Sequence, residues 1–421
     1  MWLTKDHTDI IDRIHHEFRA NPPARLGVAV SGGSDSVALL HALAQACPSL
    51  NTQLFAVTVD HGLRAEAAQE AEEVARIAAS LNVPHHILRW EGRDGSGNLQ
   101  AQAREARYRL MTRWARDNEI AVLALGHTAD DQAETVLMRL ARSSGVDGLA
   151  GIPRRRVVHG VTIVRPFLDL TRAALRAYLK DHGVSWIEDP SNDDPRFDRV
   201  RLRAAAPQLA ELGLTAQALS DVAHNMARAR EALDWYTFIA AREAVQLDGG
   251  DVLIDRRHFR TLPEEIARRL LTRALCWIGG GPYQPRREAV SDALAAIRGG
   301  KTTTLHGCLL MSHAGLVWIC REYNAVRELS VAATETWDRR WKVAGSGPVD
   351  ATLTLRALGK GGLKQCGDWR QTGRPYAALV SAPSIWEGDR LVAAPKAGMT
   401  GKIGIELIGG GEEFFASILS H

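Results

Sequence analysis

Between Leu26 and about Trp186 the chain alternates two hydrophobic patterns. Short apolar runs (LGVAVS, LFAVTVD, HHILRW, AVLALG and VTIVRP) are separated by longer stretches rich in Ala, Leu, Glu and Arg. The short runs read as strands and the longer stretches as helices packed against them, so the alternation predicts an α/β fold with a doubly wound parallel sheet. In such sheets ligands sit beyond the carboxyl ends of the strands. Three polar segments fall there: SGGSDS from Ser31, DHGLR from Asp60 and GHTADD from Gly126. After Pro207 the pattern turns helical, with one short strand-like segment, DVLID. From about Val326, Trp, Gly and Pro rise and short strand-like runs return beyond a linker near Ala344 to Pro348. The pattern therefore predicts a catalytic domain over 1–206, a mainly helical domain over 207–325 and a small mixed α/β domain over 326–421.

Composition narrows the class. Of 421 residues, 45% are hydrophobic and 24% charged. No apolar stretch approaches the roughly 20 residues of a membrane span, and the charged first segment has no signal-peptide core. A cytoplasmic protein without membrane association is expected. The five cysteines, Cys47, Cys276, Cys308, Cys320 and Cys366, are scattered with no C-x-x-C pair, so neither a zinc site nor a redox couple is signalled. The 52 basic residues nearly balance 49 acidic ones, for a net charge of +3. That balance permits a nucleic-acid partner without requiring one, so local arginine clusters must carry any RNA argument. Monomer and homodimer are equally compatible with the chain.

SGGSDS places a strand end, a Gly-rich turn and a helix start in succession. Unpaired N–H groups converge there and suit a phosphate. The run lacks the lysine of a Walker loop, and the only GKT, at Gly300, has Ala295 where the upstream glycine belongs. Gly32 and Gly33 let backbone approach an anion, and Ser31 and Ser36 add hydroxyl donors. Asp35 would repel phosphate unless a cation lies between them, which points to Mg2+. A plain helix start capped by Ser34 and Asp35 accounts for the same six residues.

The GHTADDQAET run places Asp130, Asp131 and Glu134 at helical spacing. Acids also favour a first helical turn, and Thr128 with Asp131 resembles a capping pair. Asp60 and His61 suit a strand-end turn as well as a ligand. Arg104 and Arg107 share a helix face. Arg154 to Arg156, with Arg199, Arg201 and Arg203, form basic runs that could track an RNA backbone or simply face solvent.

SGGxDS at the end of a first strand resembles the PP-loop of the N-type ATP pyrophosphatases, which cleave ATP between its α and β phosphates. The longer set, VDHGLR, AREARY, the H-x-x-D-D-Q-x-E-T signature at His127 to Thr135, a GxxGL stretch at Gly145, RPFLDLTRAALRAYL and WIEDPSNDDPRFDRVRLR, resembles the tRNA(Ile)-lysidine synthetases across most of residues 25 to 205. Val200 stands where that family often has asparagine. The resemblance implies ATP-dependent ligation of free L-lysine to carbon 2 of the wobble cytidine of an isoleucine tRNA with a CAU anticodon, through an adenylated cytidine. It implies ATP and Mg2+ as cofactors. Asp35, Asp131 and Glu134 would be catalytic, with Asp35 also on the metal. Ser31, Gly32, Gly33, Ser34, Asp35, Ser36, Asp60, His61, Arg104 and His127 would serve ATP and pyrophosphate. Arg165, Arg199, Arg201 and Arg203 would meet tRNA. A PP-loop tRNA thiolase, which usually needs paired cysteines, and a non-catalytic ATP- or RNA-binding module are the competing readings.

Overall fold

A computed structural model describes residues 6–60, 62, 67–90, 99–188, 198–281, 283–344, 352–401 and 403–419. The chain forms two compact units, Met1–Arg230 and Glu231–His421.

The first unit runs α1 (Asp6–Phe18), β1 (Arg25–Ala29), α2 (Ser34–Ala46), β2 (Gln53–Asp60), α3 (Ala67–Ser80), β3 (His85–Arg89), α4 (Leu99–Asp117), β4 (Val122–Leu125), α5 (Ala129–Leu140), α6 (Val146–Leu149), β5 (Arg155–Val158), β6 (Val161–Val164), α7 (Arg172–Asp181) and α8 (Asp198–Glu211). Its six strands lie in the order β3-β2-β1-β4-β6-β5. All pairs are parallel except β5 with β6. The five apolar runs of the sequence correspond to β1, β2, β3, β4 and β6. The sixth strand, RRVV, is an edge strand carrying two arginines, a composition that suppresses the apolar signal while guarding a sheet edge. It is joined to β6 through His159 and Gly160, both at positive φ, as a two-residue hairpin requires.

Successive residues of β1 alternate between two cores. Leu26 and Val28 pack with Ile14 and Phe18 of α1, Leu39 and Leu43 of α2, and Leu175 and Leu179 of α7. Ala29 faces Met111 and Trp114 of α4. Ten residues of α2 are buried, so it is a core helix rather than an amphipathic surface one. From β1 the chain steps outward to β2 and β3 and then returns to β4 on the other side of β1. The strand order reverses there, which opens a crevice at the carboxyl ends of β1 and β4.

The expected boundary at 206 falls inside α8, and α9 (Ala216–Ala244) continues past Arg230. The second unit holds a five-stranded antiparallel sheet made of β7 (Val245–Asp248), β8 (Asp251–Asp255), β9 (Thr303–Leu305), β10 (Cys308–His313) and β11 (Leu316–Arg321), in the order β7-β8-β11-β10-β9. It packs on α11 (Glu264–Gly279) and α12 (Arg287–Arg298), which follow the short α10 (Arg256–Thr261). A four-stranded sheet of β12 (Ser330–Ala332), β14 (Leu353–Ala357), β15 (Pro383–Glu387) and β16 (Arg390–Ala393), and a two-stranded one of β13 (Trp341–Ala344) and β17 (Gly404–Leu407), complete the unit. Among the described residues no helix is long and apolar enough to cross a membrane.

Candidate active site

The phosphate-loop candidate is a fold of backbone held by its own hydroxyls. Ser36 Oγ donates to the Gly33 carbonyl at 3.0 Å and accepts from the Ser31 N–H at 3.1 Å. Gly32 sits at φ +89, where other residues are strained, and a Cβ there would lie 2.6 Å from Ile187 Cδ1. Gly33 is the extended N-cap of α2 and offers no side-chain cap. The first-turn N–H groups of α2 thus lack intrahelical acceptors, at a helix end that carries positive partial charge.

A cavity of about 610 Å³ opens on this loop. Ser31, Gly33, Ser34, Asp35 and Ser36 form one wall; His127 and Asp131, from the start of α5, form another. The two walls meet at Gly126, where a Cβ would lie 2.9 Å from the Asp35 carbonyl oxygen and 3.0 Å from Ser36 Cα. Only a glycine lets these two loops touch backbone to backbone.

Five arginines also line the cavity: Arg107 of α4, Arg172 and Arg176 of α7, and Arg199 and Arg203 of α8. Arg172 Nε donates to Asp35 Oδ2 at 3.0 Å, and its NH2 lies 3.6 Å from Asp131 Oδ1. Ser34 Oγ donates to the other Asp35 oxygen at 3.0 Å. Burial pushes the Asp35 carboxyl above the usual range, and the pull of Arg172 only partly opposes it. Burial disfavours the Arg172 charge, but Asp35, Asp131 and Asp130 together hold its pKa above an ordinary arginine's. Arg176 donates to Ser34 Oγ at 3.3 Å and to Glu188 at 3.1 Å.

Asp131 closes a capping box. Its Oδ2 accepts from the Thr128 N–H at 2.9 Å and the Thr128 hydroxyl at 3.1 Å, while its own N–H donates to Thr128 Oγ1 at 3.4 Å. The helix therefore uses one carboxylate oxygen and leaves the other beside Arg172. Asp130 accepts from the Arg172 backbone N–H at 2.7 Å and so serves the start of α7. Glu134, one turn further, is buried and accepts from Arg203 Nε at 2.6 Å, with Arg199 Nε at 3.8 Å. His127 is driven down to about 3 by burial, with Arg165, Arg107 and Arg104 adding to the effect against the pull of Asp131. Its imidazole is neutral at physiological pH.

Of the residues singled out in the sequence, the cavity gathers Ser31, Gly33, Ser34, Asp35, Ser36, Arg107, His127, Asp131, Arg199 and Arg203, with Gly32 inside the loop itself. Glu134 stands behind Arg203. The other candidates lie elsewhere. Asp60 accepts from the Gly62 N–H at 2.8 Å in a local turn. Arg104 is exposed over the Tyr108 ring at 5.4 Å. Arg165 is buried and donates to the Pro153 carbonyl at 2.7 Å. Arg201 is exposed and pairs with Asp198. His61 lies outside the described residues. Arg154 and Arg155, of the basic run, pair with Glu17 at 3.3 and 3.0 Å. Sequence reasoning missed Arg172 and Arg176, although a signal was present. TRAALR puts two arginines into the first turns of a helix capped by Thr171, where the dipole disfavours cations unless carboxylates or an anion compensate.

Comparison with known proteins agrees with this geometry. The PP-loop domain profile matches residues 6–209. The tRNA(Ile)-lysidine synthase of Ruegeria pomeroyi is 55% identical over 421 residues, all of both chains. That of Methylobacterium nodulans is 45% identical over 307 residues, 70% of this chain and 90% of the relative. That of Wolbachia pipientis wMel is 35% identical over 346 residues, 80% of each. With a PP-loop at the head of α2, the His-Asp-Asp run at the head of α5 facing it, and full-length identity of this order, the chain belongs to the tRNA(Ile)-lysidine synthase family.

Proposed function

We propose that the protein joins free L-lysine to carbon 2 of the wobble cytidine of an isoleucine tRNA bearing a CAU anticodon, consuming ATP to AMP and pyrophosphate in the cytoplasm. The observation that carries this reading is the meeting of the Ser31–Ser36 loop and the His127–Asp131 segment in one arginine-lined cavity, in a chain of this family. In the first step the cytidine O2 attacks the α phosphorus of ATP and pyrophosphate leaves. The N–H groups at the head of α2 receive the leaving group's charge without being consumed. Arg172 and Arg176 stand at the same wall and add positive charge there.

Among the described residues no three His, Cys, Asp or Glu side chains converge to hold a metal by themselves. Mg2+ characteristically uses one or two carboxylates plus substrate phosphates. Asp35 fits that pattern, because burial leaves its carboxylate short of compensating positive charge. An ion held by Asp35 and the phosphates would offset the charge of the departing pyrophosphate.

In the second step the lysine side-chain nitrogen attacks carbon 2, and AMP leaves with the oxygen. Free lysine reaches the site as an ammonium, with a pKa of about 10.4, so a carboxylate must hold the cation and accept its proton. Asp131 and Glu134 are assigned this work. Both oxygens of Glu134 lie against arginines, so Glu134 receives the ammonium in exchange for Arg203. Arg199 and Arg203, released from the carboxylate, are suited to RNA phosphates. The parts of the chain beyond 206 are assigned to tRNA contact.

The test is a single-turnover reaction with labelled ATP, following adenylated tRNA and lysidine separately. Asp35→Asn and Ser36→Ala should slow adenylation itself. Glu134→Gln should still adenylate but fail to pass the base to lysine, with partial rescue at higher pH, where more free amine is present. ADP as the main product would sink the reading. Loss of adenylation in Glu134→Gln as complete as in Asp35→Asn would move Glu134 to the ATP site.

A further inference from the structure

The second unit contains a cavity of about 430 Å³ that the adenylation chemistry does not use. It lies between the end of α11, the turn Trp337 to Trp341 and the C-terminal helix Glu412–Leu419. We propose that this cavity binds a nucleotide through its phosphate, which Arg339 and Arg340 hold with support from Arg273, while Trp277, Leu407 and Ile408 pack against the nucleoside.

Charge is the first argument. Asp338 is spent on Arg321, whose Nε and NH2 reach its two oxygens at 2.8 and 3.0 Å. Asp251 is spent on Lys396 at 2.5 Å and on the Trp318 N–H at 3.0 Å. Among the described residues, Glu413 is then the one carboxylate left at the cavity against Arg273, Arg339 and Arg340, an excess of two positive charges. Burial also works against the charged form of Arg340, holding its pKa below an ordinary arginine's. A phosphate entering the cavity relieves that cost, since a guanidinium matches phosphate oxygens in geometry as well as charge.

Preorganisation is the second. The Arg340 guanidinium lies over the rings of Trp277, 4.7 Å away, and Trp341, 5.8 Å away, and donates to the Gly250 carbonyl at 2.8 Å. Arg339 donates to the Gly279 carbonyl at 3.2 Å. The turn that presents both has Asp338 at φ +47 and Arg339 at φ +59, two successive non-glycine residues in left-handed conformation. Non-glycine residues rarely adopt this conformation, and the fork from Arg321 to Asp338 holds them in place. The volume exceeds a bare phosphate and lies within the range of small-ligand sites. The phosphate could belong to a free nucleotide or to a nucleotide within an RNA chain, since both present the same group.

Cys276 lines the cavity, and the other four cysteines are buried, so its alkylation rate reports occupancy at this place alone. The full chain is treated with N-ethylmaleimide, and the Cys276 peptide is followed by mass spectrometry with cytidine, CMP or an RNA hairpin present. CMP should slow the reaction several-fold while cytidine does not. Protection by the hairpin without protection by CMP would assign the phosphate to RNA. Arg339→Ala, at an exposed position, and separately Arg340→Gln should each raise the ligand concentration needed by about tenfold, as expected for a charge-assisted bond. The proposal fails if neither CMP nor RNA protects Cys276, if cytidine protects as well as CMP, or if Arg339→Ala leaves protection unchanged.

Discussion

At the scale of single residues, the site is a set of charges matched to one another, with Asp35 matched only in part. His127 illustrates the consequence for pH. Its folded pKa of about 3 lies below the roughly 6.5 of an unfolded histidine, so the folded state favours the neutral ring. The stability it contributes is complete above about pH 6.5 and is lost as the pH falls toward 3, while the unfolded chain takes up the proton. The carbon-bound ring protons of His127, assigned with His127→Gln, should therefore show no titration between pH 8 and 5 by NMR. A midpoint near 6.5 would mean that the ring is solvated. Arg203→Ala tests the second match. It leaves the buried Glu134 carboxylate with Arg199 at 3.8 Å in place of a bond at 2.6 Å. Removing one partner of a buried pair costs about 3–5 kcal/mol, and the partial exposure of Arg203 brings the expected loss to about 1–3 kcal/mol, read as a lower urea midpoint. The residue types were legible in the sequence, but their pairings were not. Nothing in a one-dimensional pattern says that arginines 65 and 69 positions beyond Glu134 will face it, or that Arg172 will stand between Asp35 and Asp131.

At the scale of elements, the site depends on two helix starts brought into backbone contact. Gly126 marks the place. Gly126→Ala puts a methyl against the Asp35 carbonyl, a backbone atom with no rotamer through which to yield. The variant should lose about 1–3 kcal/mol of stability and, more sharply, adenylation rate, because the methyl separates the two walls of the cavity. Full single-turnover adenylation by Gly126→Ala would show that the walls need not touch. The strands were legible where they are buried on both faces, since β1, β2 and β4 read as continuous apolar runs. Strand β5 was not, because an edge strand with exposed arginines carries no apolar period. The same holds for β9 to β11. Their short antiparallel runs mix Thr, Cys, Ser and His with apolar residues, so only DVLID, which becomes β8, stood out beside the strong helical pattern of α9 and α11.

At the scale of the whole molecule, nucleotide chemistry and the candidate phosphate cavity belong to different compact units. ATP added at about 100 times its Kd stabilises what it binds by about 2.7 kcal/mol. Hydrogen exchange should then slow in peptides covering the head of α2, the head of α5 and the start of α7. Protection confined to peptides from residues 231–421 would overturn the assignment of ATP to the first unit. The parallel architecture was visible in the alternation of patterns, whereas the division of the chain was less so, because α8 and α9 carry helical periodicity straight through the region where a boundary was expected. The closeness of Ile187 to Gly32 has a mechanical meaning. The Ile187 N–H bonds the Gly32 carbonyl at 2.9 Å. Arg203 grips Glu134, α5 leads back from Glu134 to Gly126, and Gly126 rests on Asp35 and Ser36. Spacing along this line is therefore a functional quantity in its own right: one residue inserted between Gly126 and Glu134 would turn Glu134 by about 100° around α5 and out of the reach of Arg203, whatever side chain that residue carried.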